Sequence, residues 1–262
     1  MSMYDRKEMR DIKKAAAEAA SAKAVKRYEY ASVANCPGIT PTSANRNDFC
    51  KAAADACKGN TPEQGLGPSA KLYRRADDPK GTPTGPWEQY GFTCFPQDAP
   101  GAPKRPMLTM NQILAAFHDT NFAKPTVNIQ PKGNVTLVRL ETYFELQWPT
   151  VGFQPGEVDH PDPARMLGYQ VDIEPVLNSV DYVYGDGSSS GPTTSLGGPY
   201  PSGDVHKAYE QAGDFPVRAD VTYCGRFRVS GGEWIDIPGE VTIRGAEETL
   251  QVKTAHARLV TN

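Results

Sequence analysis

The stretch YVYGDGSSSGP, residues 182–192, decides how the second half of the chain is expected to fold. Two glycines flank Asp186 where a run of alternating apolar residues ends, and a tract of Ser, Gly and Pro follows. Glycine adopts backbone conformations that other residues avoid, and Asp accepts hydrogen bonds from backbone N–H groups in turns. The pattern therefore predicts a strand that ends in a tight turn at Gly185, Asp186 and Gly187.

Residues on both sides of this turn alternate between apolar and polar with a period of two, which is typical of half-buried strands. The alternation covers 169–175, 180–184 and 215–223, and RFRVSGGEWIDI at 226–237 indicates a hairpin around its two glycines. The run 134–148 predicts one long strand whose buried face carries Val138, Leu140, Phe144, Leu146 and Trp148. About seven short strands separated by Gly/Pro turns are typical of an antiparallel β-sandwich.

The turn and the strand after it resemble the PKD domain, an immunoglobulin-like β-sandwich. That family has a strand ending in W-D-F-G-D-G and a later H-x-Y-x-x-x-G-x-Y-x-V. The residues that match these motifs most closely are Gly185, Asp186, Gly187, Tyr209 and Gly213. Tyr182, Val183 and Lys207 stand where the family has Trp, Asp and His.

The resemblance covers residues 134–262, with insertions at 149–168 and 188–204. Together with the cysteine-bearing front, the chain resembles over residues 36–260 a group of secreted bacterial proteins that carry this domain. The resemblance implies a fold and a location outside the cytoplasm, and it carries no activity with it.

Four of the five cysteines, Cys36, Cys50, Cys57 and Cys94, lie in a segment rich in Gly, Pro and polar residues. Such a segment buries little apolar surface and needs cross-links to offset its loss of conformational entropy. The spacing lacks the CxxC pattern of zinc sites, so we expect two disulfides and an oxidising compartment. If the helix predicted within 47–59 forms, Cys50 and Cys57 lie roughly 10 Å apart and bond to the other two.

The fifth cysteine, Cys224, follows the strand 215–223 and belongs by strict alternation to its wet face, with Arg218 and Asp220. We expect a thiol near solvent that stays out of the disulfides. A bulge at Gly225 that turns this side chain inward is the alternative.

The expected fold class is mainly β: an immunoglobulin-like antiparallel β-sandwich, PKD-like, preceded by a helical, disulfide-stapled N-terminal region. Residues 1–31 form a charged, Ala-rich helix or tail in this prediction. Residues 32–125 form a cysteine-containing, loop-rich region with short helices and one strand within 87–95. Residues 126–262 form the PKD-like sandwich. A capping box at Thr109 and Gln112 marks the start of the clearest helix.

Charge and hydropathy narrow the location and the partners. The net charge of −3 gives no electrostatic reason to expect nucleic acid as a partner, and the longest apolar run, 113–117, is too short to span a membrane. Residues 1–25 lack the apolar core of a signal peptide. We expect an extracellular or cell-envelope protein whose mature chain carries an added Met. A misplaced start or a cytoplasmic protein is the alternative.

The sequence predicts no catalytic residues, no cofactor and no metal site. It has no G-x-S-x-G elbow, no phosphate-binding loop and no H-E-x-x-H motif. Glu141 and Glu145 share the wet face of one strand, but four residues along a strand put them roughly 13 Å apart, too far for paired glycosidase carboxylates. Asp181, Asp186 and Asp204 are weak calcium candidates, since nothing in their spacing demands the six to eight oxygen ligands of that ion.

We expect a non-enzymatic secreted or cell-envelope protein that binds another protein or a glycan. The aromatic residues considered as anchors are Trp87, Tyr90, Trp148, Tyr200 and Trp234, with core packing the favoured alternative for Trp148 and Trp234. A homo-oligomer or structural subunit of an extracellular assembly, docked through its N-terminal helix, is one alternative. An accessory module of a polysaccharide- or protein-degrading system is the other.

Overall fold

The computed structural model describes residues 2–21, 27–78, 80–102 and 107–255 and is mainly β, with 39% strand and 12% helix. The chain divides into two compact units, each made of three segments. Unit 1 comprises Met1–Asp119, His160–Ile173 and Arg226–Pro238. Unit 2 comprises Thr120–Asp159, Glu174–Gly225 and Gly239–Asn262. The three-part division of the sequence into 1–31, 32–125 and 126–262 stays a prediction.

Unit 1 contains a four-stranded sheet in the spatial order β1-β4-β3-β2, in which β1 runs parallel to β4. The strands are β1 (Ser2–Tyr4), β2 (Arg27–Ala34), β3 (Ala70–Asp77) and β4 (Glu88–Thr93). The sequence predicts β4 alone among them. Two arginines interrupt the apolar alternation of β3: Arg74 stacks on Tyr28 at 5.0 Å and Arg75 on Trp87 at 4.5 Å.

Helix α1 (Arg6–Ser21) begins with a reciprocal capping box. The backbone N–H of Glu8 donates to Asp5 Oδ1, and that of Asp5 donates to Glu8 Oε2, both at 2.8 Å. Met9 is fully buried and packs with Leu72 of β3 and with Ala99. The apolar side of this helix is therefore engaged within unit 1.

Two disulfides link the front cysteines, Cys36 to Cys50 and Cys57 to Cys94, which confirms the predicted cross-links. Helix α2 (Lys51–Asp55) lies between Cys50 and Cys57 and is shorter than its sequence suggests. Helix α3 (Met110–Asp119) has the predicted capping box, because the Gln112 side chain accepts from the Thr109 N–H at 3.0 Å. The buried side of this helix includes Ile113 and Phe117.

The remaining strands form a five-stranded and a three-stranded sheet among the described residues. The five-stranded sheet has the order β11-β10-β12-β6, with β8 also paired to β10, and the three-stranded sheet has the order β5-β7-β9. The strands are β5 (Thr126–Gln130), β6 (Val135–Leu137), β7 (Glu141–Gln147), β8 (Val171–Val183), β9 (His206–Ala208), β10 (Gly213–Val229), β11 (Ile235–Ile243) and β12 (Glu248–Lys253). Strands β8, β10 and β11 have residues in both units.

The run 134–148 is not the single strand that its alternation predicts. It forms β6 and β7, which belong to different sheets, and the chain turns between them at Arg139, whose φ is +64°. Thr136 and Thr142 take buried positions on either side of the turn, with their hydroxyl oxygens 2.9 Å apart. Leu140, expected in the core, is 44% exposed.

Strand β10 alternates between buried and half-buried residues from Val217 to Arg228. The residues that it buries include Val217, Ala219, Val221, Tyr223 and Phe227. The pattern continues through Gly225 without a register change, so Cys224 lies on the opposite face, as alternation predicts. Its thiol is half-buried and lies 3.6 Å from the carbonyl oxygen of Val176, so it is less exposed than expected.

Candidate functional site

The outward face of the three-stranded sheet is built by the alternation of β7. This strand buries Thr142, Phe144 and Leu146 and turns Tyr143 and Glu145 the other way. Cross-strand register then places Gln130 of β5 opposite Tyr143 on one side and His206 of β9 opposite it on the other. Residues directly opposite each other have neighbouring side chains, so these three form a row across the sheet.

Three rings come together on this face, and we name Tyr143, Tyr200 and His206 the aromatic platform. The ring of Tyr143 lies 5.3 Å from that of His206 and 5.5 Å from that of Tyr200, which meets it edge-on. Tyr200 is 69% exposed. Its loop is attached to the sheet because its backbone N–H donates to Gln130 Oε1 at 3.0 Å.

Carboxylates and amides border the aromatic platform. Nδ1 of His206 lies 2.8 Å from Oε2 of Glu141, and Asn128 donates from Nδ2 to Oε2 of Glu145 at 2.9 Å. Each carboxylate has more acceptor sites than the one used here. The face therefore offers exposed ring surface beside hydrogen-bond acceptors, which suits a ligand with an apolar face and hydroxyl edges.

The Gly-Asp-Gly turn is held by hydrogen bonds and an ion pair around Asp186. Its Oδ1 accepts from the backbone N–H of Ser188 at 3.0 Å and from the hydroxyl of that residue at 2.6 Å. Lys207 Nζ lies 2.9 Å from Oδ2. Burial raises the pKa of the Asp186 carboxyl, but the bonds from Ser188 and Lys207 outweigh it, so this pKa lies below its usual range.

The other motif residues attach this turn to the strands beside it. The hydroxyl of Tyr209 donates to the buried carbonyl oxygen of Tyr184 at 2.9 Å, and burial raises the pKa of Tyr209. Gly185 has φ of +80° and lies so close to Pro216 that a Cβ would come within 2.8 Å of its backbone nitrogen and oxygen. Gly213 begins β10. The contacts of Gly185, Asp186 and Tyr209 therefore hold this turn, and the role of Gly187 and Gly213 in it stays a prediction.

The calcium candidates have separate partners. Asp181 lies 3.4 Å from the hydroxyl oxygen of Ser190, and Asp204 accepts from the hydroxyl of Ser195 at 2.6 Å. Asp186 already faces the Lys207 ammonium. No group of three or more His, Cys, Asp and Glu side chains that could hold a metal occurs in the part of the chain that the structure describes.

The predicted aromatic anchors differ in their surroundings. Trp87 is half-buried beneath Arg75, and Tyr90 packs between Tyr4 and Tyr30. Trp148 and Trp234 are also half-buried, the first near Tyr223 and the second stacked against Arg226 and Arg228. Tyr200 is the anchor of this set that projects into solvent.

Sequence reasoning missed Tyr143 and His206. The alternation of β7 places Tyr143 on its outward face, and this could have been read from the sequence. No sequence pattern indicates that β9 pairs with β7. Nδ1 of His206 contacts Glu141, and the paired strands bring its ring to Tyr143.

No protein-family model, curated protein or solved structure matches the chain. Across residues 2–21, 27–78, 80–102 and 107–255, no helix has the length and apolar character that a membrane span requires. The two disulfides point to an oxidising, extracellular environment.

Proposed function

We propose that this is a non-enzymatic secreted or cell-envelope protein that binds a glycan on the aromatic platform. The observation that supports this proposal is the contact of Tyr143, Tyr200 and His206 on a solvent-facing sheet surface. We also propose that the strands of unit 2, from the five-stranded and the three-stranded sheet, form a PKD-like, immunoglobulin-like sandwich. The Gly-Asp-Gly turn and the buried Tyr209 support this assignment.

The chemistry of a sugar ring fits this surface. One face of a pyranose presents C–H groups, which pack on aromatic rings, while its hydroxyl groups project around the edge. Tyr200 offers an exposed ring with a polar hydroxyl, a combination suited to such half-wet contacts. Glu141 and Glu145 lie where the hydroxyl edge of a sugar stacked on Tyr143 would find acceptors.

A glycan fits better than a protein partner because charged groups border the rings so closely. The centre of a protein–protein interface is depleted of charged residues and is more apolar than its rim. The platform consists of only three rings, and Oε2 of Glu141 lies 2.8 Å from Nδ1 of His206. The carboxylates beside the rings are therefore unlike the uncharged centre of a protein–protein interface.

The test is depletion of the protein from solution by a panel of insoluble glycans: cellulose, chitin, xylan and peptidoglycan. We expect binding to at least one of them and a loss of affinity of about two- to tenfold in Tyr200→Ala, since aromatic contacts contribute about 0.5–1.5 kcal/mol beyond burial. Tyr200→Phe keeps the ring and should bind as the wild type does.

Val151→Ala is the matched control, because it also removes exposed apolar surface from unit 2 but lies outside the platform. It should leave binding unchanged. Failure to bind any glycan in the panel, or equal binding by Tyr200→Ala and the wild type, would reject the proposed function.

A further inference from the structure

An apolar pocket lies within unit 1 and does not include any platform residue. Its volume is about 170 Å³. The end of α2 and the turn after it form one wall, Met110 at the start of α3 forms another, and the first residues of β11 close the third. Ala54, Cys57, Ile235 and Ile237 supply apolar lining and are themselves buried.

The walls of this pocket are fixed by covalent and backbone links. Cys57 is disulfide-bonded to Cys94. Gly67 lies so close to Cys57 that a Cβ on the glycine would come within 2.9 Å of the cysteine Cβ. The carbonyl oxygen of Gly67 accepts a hydrogen bond from the Met110 N–H at 3.1 Å. The pocket is therefore formed before a ligand arrives, which reduces the ordering cost of binding.

The size of the pocket limits its occupant to one small apolar group. A dry protein cavity of about 150 Å³ lined by aliphatic and aromatic side chains accommodates benzene. Pockets for drug-sized ligands are larger, about 300–1,000 Å³. A single ring or a branched chain of similar size fits a space of this volume.

The pocket lining also carries three charged side chains: Asp55, which pairs with Lys51 at 3.4 Å, and the ion pair of Lys58 and Asp236. Lys58 Nζ and Asp236 Oδ2 lie 3.2 Å apart, with side chains 66% and 75% exposed. An ion pair so exposed contributes little to stability. Breaking it so that each side chain can pair with a charged group of a ligand therefore costs little free energy. A ligand with an ammonium and a carboxylate on one carbon, next to an apolar body, satisfies both.

We propose that this pocket binds a free α-amino acid with an apolar side chain, of the leucine or phenylalanine class. The side chain occupies the space beside Ile235 and Ile237, the carboxylate pairs with Lys58, and the ammonium pairs with Asp236. The proposal does not depend on glycan binding, because no residue of the pocket belongs to the aromatic platform.

The probes are L-leucine and L-phenylalanine, titrated into the full chain while the methyl signals of Ile235 and Ile237 are followed by NMR. We expect saturable shifts of both signals. 3-Phenylpropionate lacks the ammonium and 2-phenylethylamine lacks the carboxylate, so each should bind about two- to fivefold more weakly than L-phenylalanine, as expected for exposed ion pairs. The absence of shifts at about 10 mM probe, or equal binding by all three phenyl compounds, overturns the proposal.

Variants test the two charges and the apolar space separately. Lys58→Gln and Asp236→Asn should each weaken L-phenylalanine binding about two- to fivefold. Lys13→Gln is the matched control, since Lys13 is an exposed lysine of unit 1 that lies outside the pocket lining.

Ile237→Trp fills the space and should abolish binding while the circular dichroism spectrum is retained. If that variant fails to fold, the two charge variants still decide, because their side chains are exposed. Wild-type affinity in both Lys58→Gln and Asp236→Asn overturns the amino-acid assignment.

Discussion

Gly185 and Gly187 provide a matched pair for testing why the Gly-Asp-Gly turn needs glycine. Both have left-handed backbone angles, with φ of +80° and +91°. Alanine in that region costs about 1–2 kcal/mol, and about 0.4–1 kcal/mol of this is offset because alanine restricts the unfolded chain. At Gly187 a Cβ meets no atom within 4 Å, so Gly187→Ala should lower the free energy of unfolding by about 1 kcal/mol.

Gly185→Ala should cost more because the new methyl group has no space. Its Cβ would lie 2.8 Å from the backbone nitrogen and oxygen of Pro216, so strand β10 has to move. Overpacking of this kind costs about 1–3 kcal/mol in addition to the backbone strain. The total loss is then about 2–4 kcal/mol, and the gap between the two variants is about 1–3 kcal/mol.

Urea unfolding combined with hydrogen exchange of peptides from β8 and β10 measures this gap. Both glycines and Pro216 lie in unit 2, so exchange in those strands reports the affected part of the chain. With a slope of about 2–3 kcal/mol per molar urea, the midpoints of the two variants should differ by about 0.3–1.5 M. Equal losses in Gly185→Ala and Gly187→Ala would refute the close approach to Pro216 as the reason for glycine.

Two further predictions concern Asp186 and Cys224. Asp186→Asn should lower the free energy of unfolding at neutral pH by about 1–2 kcal/mol, because it weakens the bonds to Ser188 and Lys207. Since the pKa of Asp186 is lowered by folding, this contribution is present above the unfolded-state pKa of about 3.9 and is lost as pH falls through the folded-state pKa. Stability curves of variant and wild type should therefore converge in acid, and a constant gap down to about pH 2 contradicts this account. The half-buried thiol of Cys224 should react with a thiol reagent more slowly in the native, unreduced protein than in denaturant. One thiol per chain should react, and none in Cys224→Ser. Equal rates in the native protein and in denaturant contradict the partial burial of this thiol.

Sequence reasoning succeeded where the deciding contacts are local. The capping box of α3 joins residues three apart in the chain, and the alternation of β10 follows from the geometry of a strand alone. The prediction of one strand over 134–148 failed at the turn between β6 and β7. The buried residues before and after that turn are all even-numbered, so the alternation looks uninterrupted in the sequence. Thr136 and Thr142 occupy those positions in place of the expected Val138 and Leu140, so the pattern hides the change of sheet.

The candidate site was only partly predictable for a related reason. Tyr200 could be named from the sequence as an exposed aromatic, and Glu141 and Glu145 as residues of a wet strand face. The platform, however, depends on the register Tyr143 opposite His206, which is set by a pairing between distant parts of the chain. The pocket in unit 1 likewise needs β11 beside the end of α2, and no local pattern encodes that meeting.

The division of the chain into six alternating segments, which meet at five junctions, has a consequence for synthesis. Unit 1 contains the front disulfides, yet its segment Arg226–Pro238 leaves the ribosome well after all four of their cysteines. The cysteines are therefore available for oxidation long before Ile235 and Ile237 exist to complete the pocket lining. A chain shortened before residue 226 keeps all four paired cysteines but loses one wall of the pocket, so disulfide formation cannot serve as a sign that this unit has finished folding.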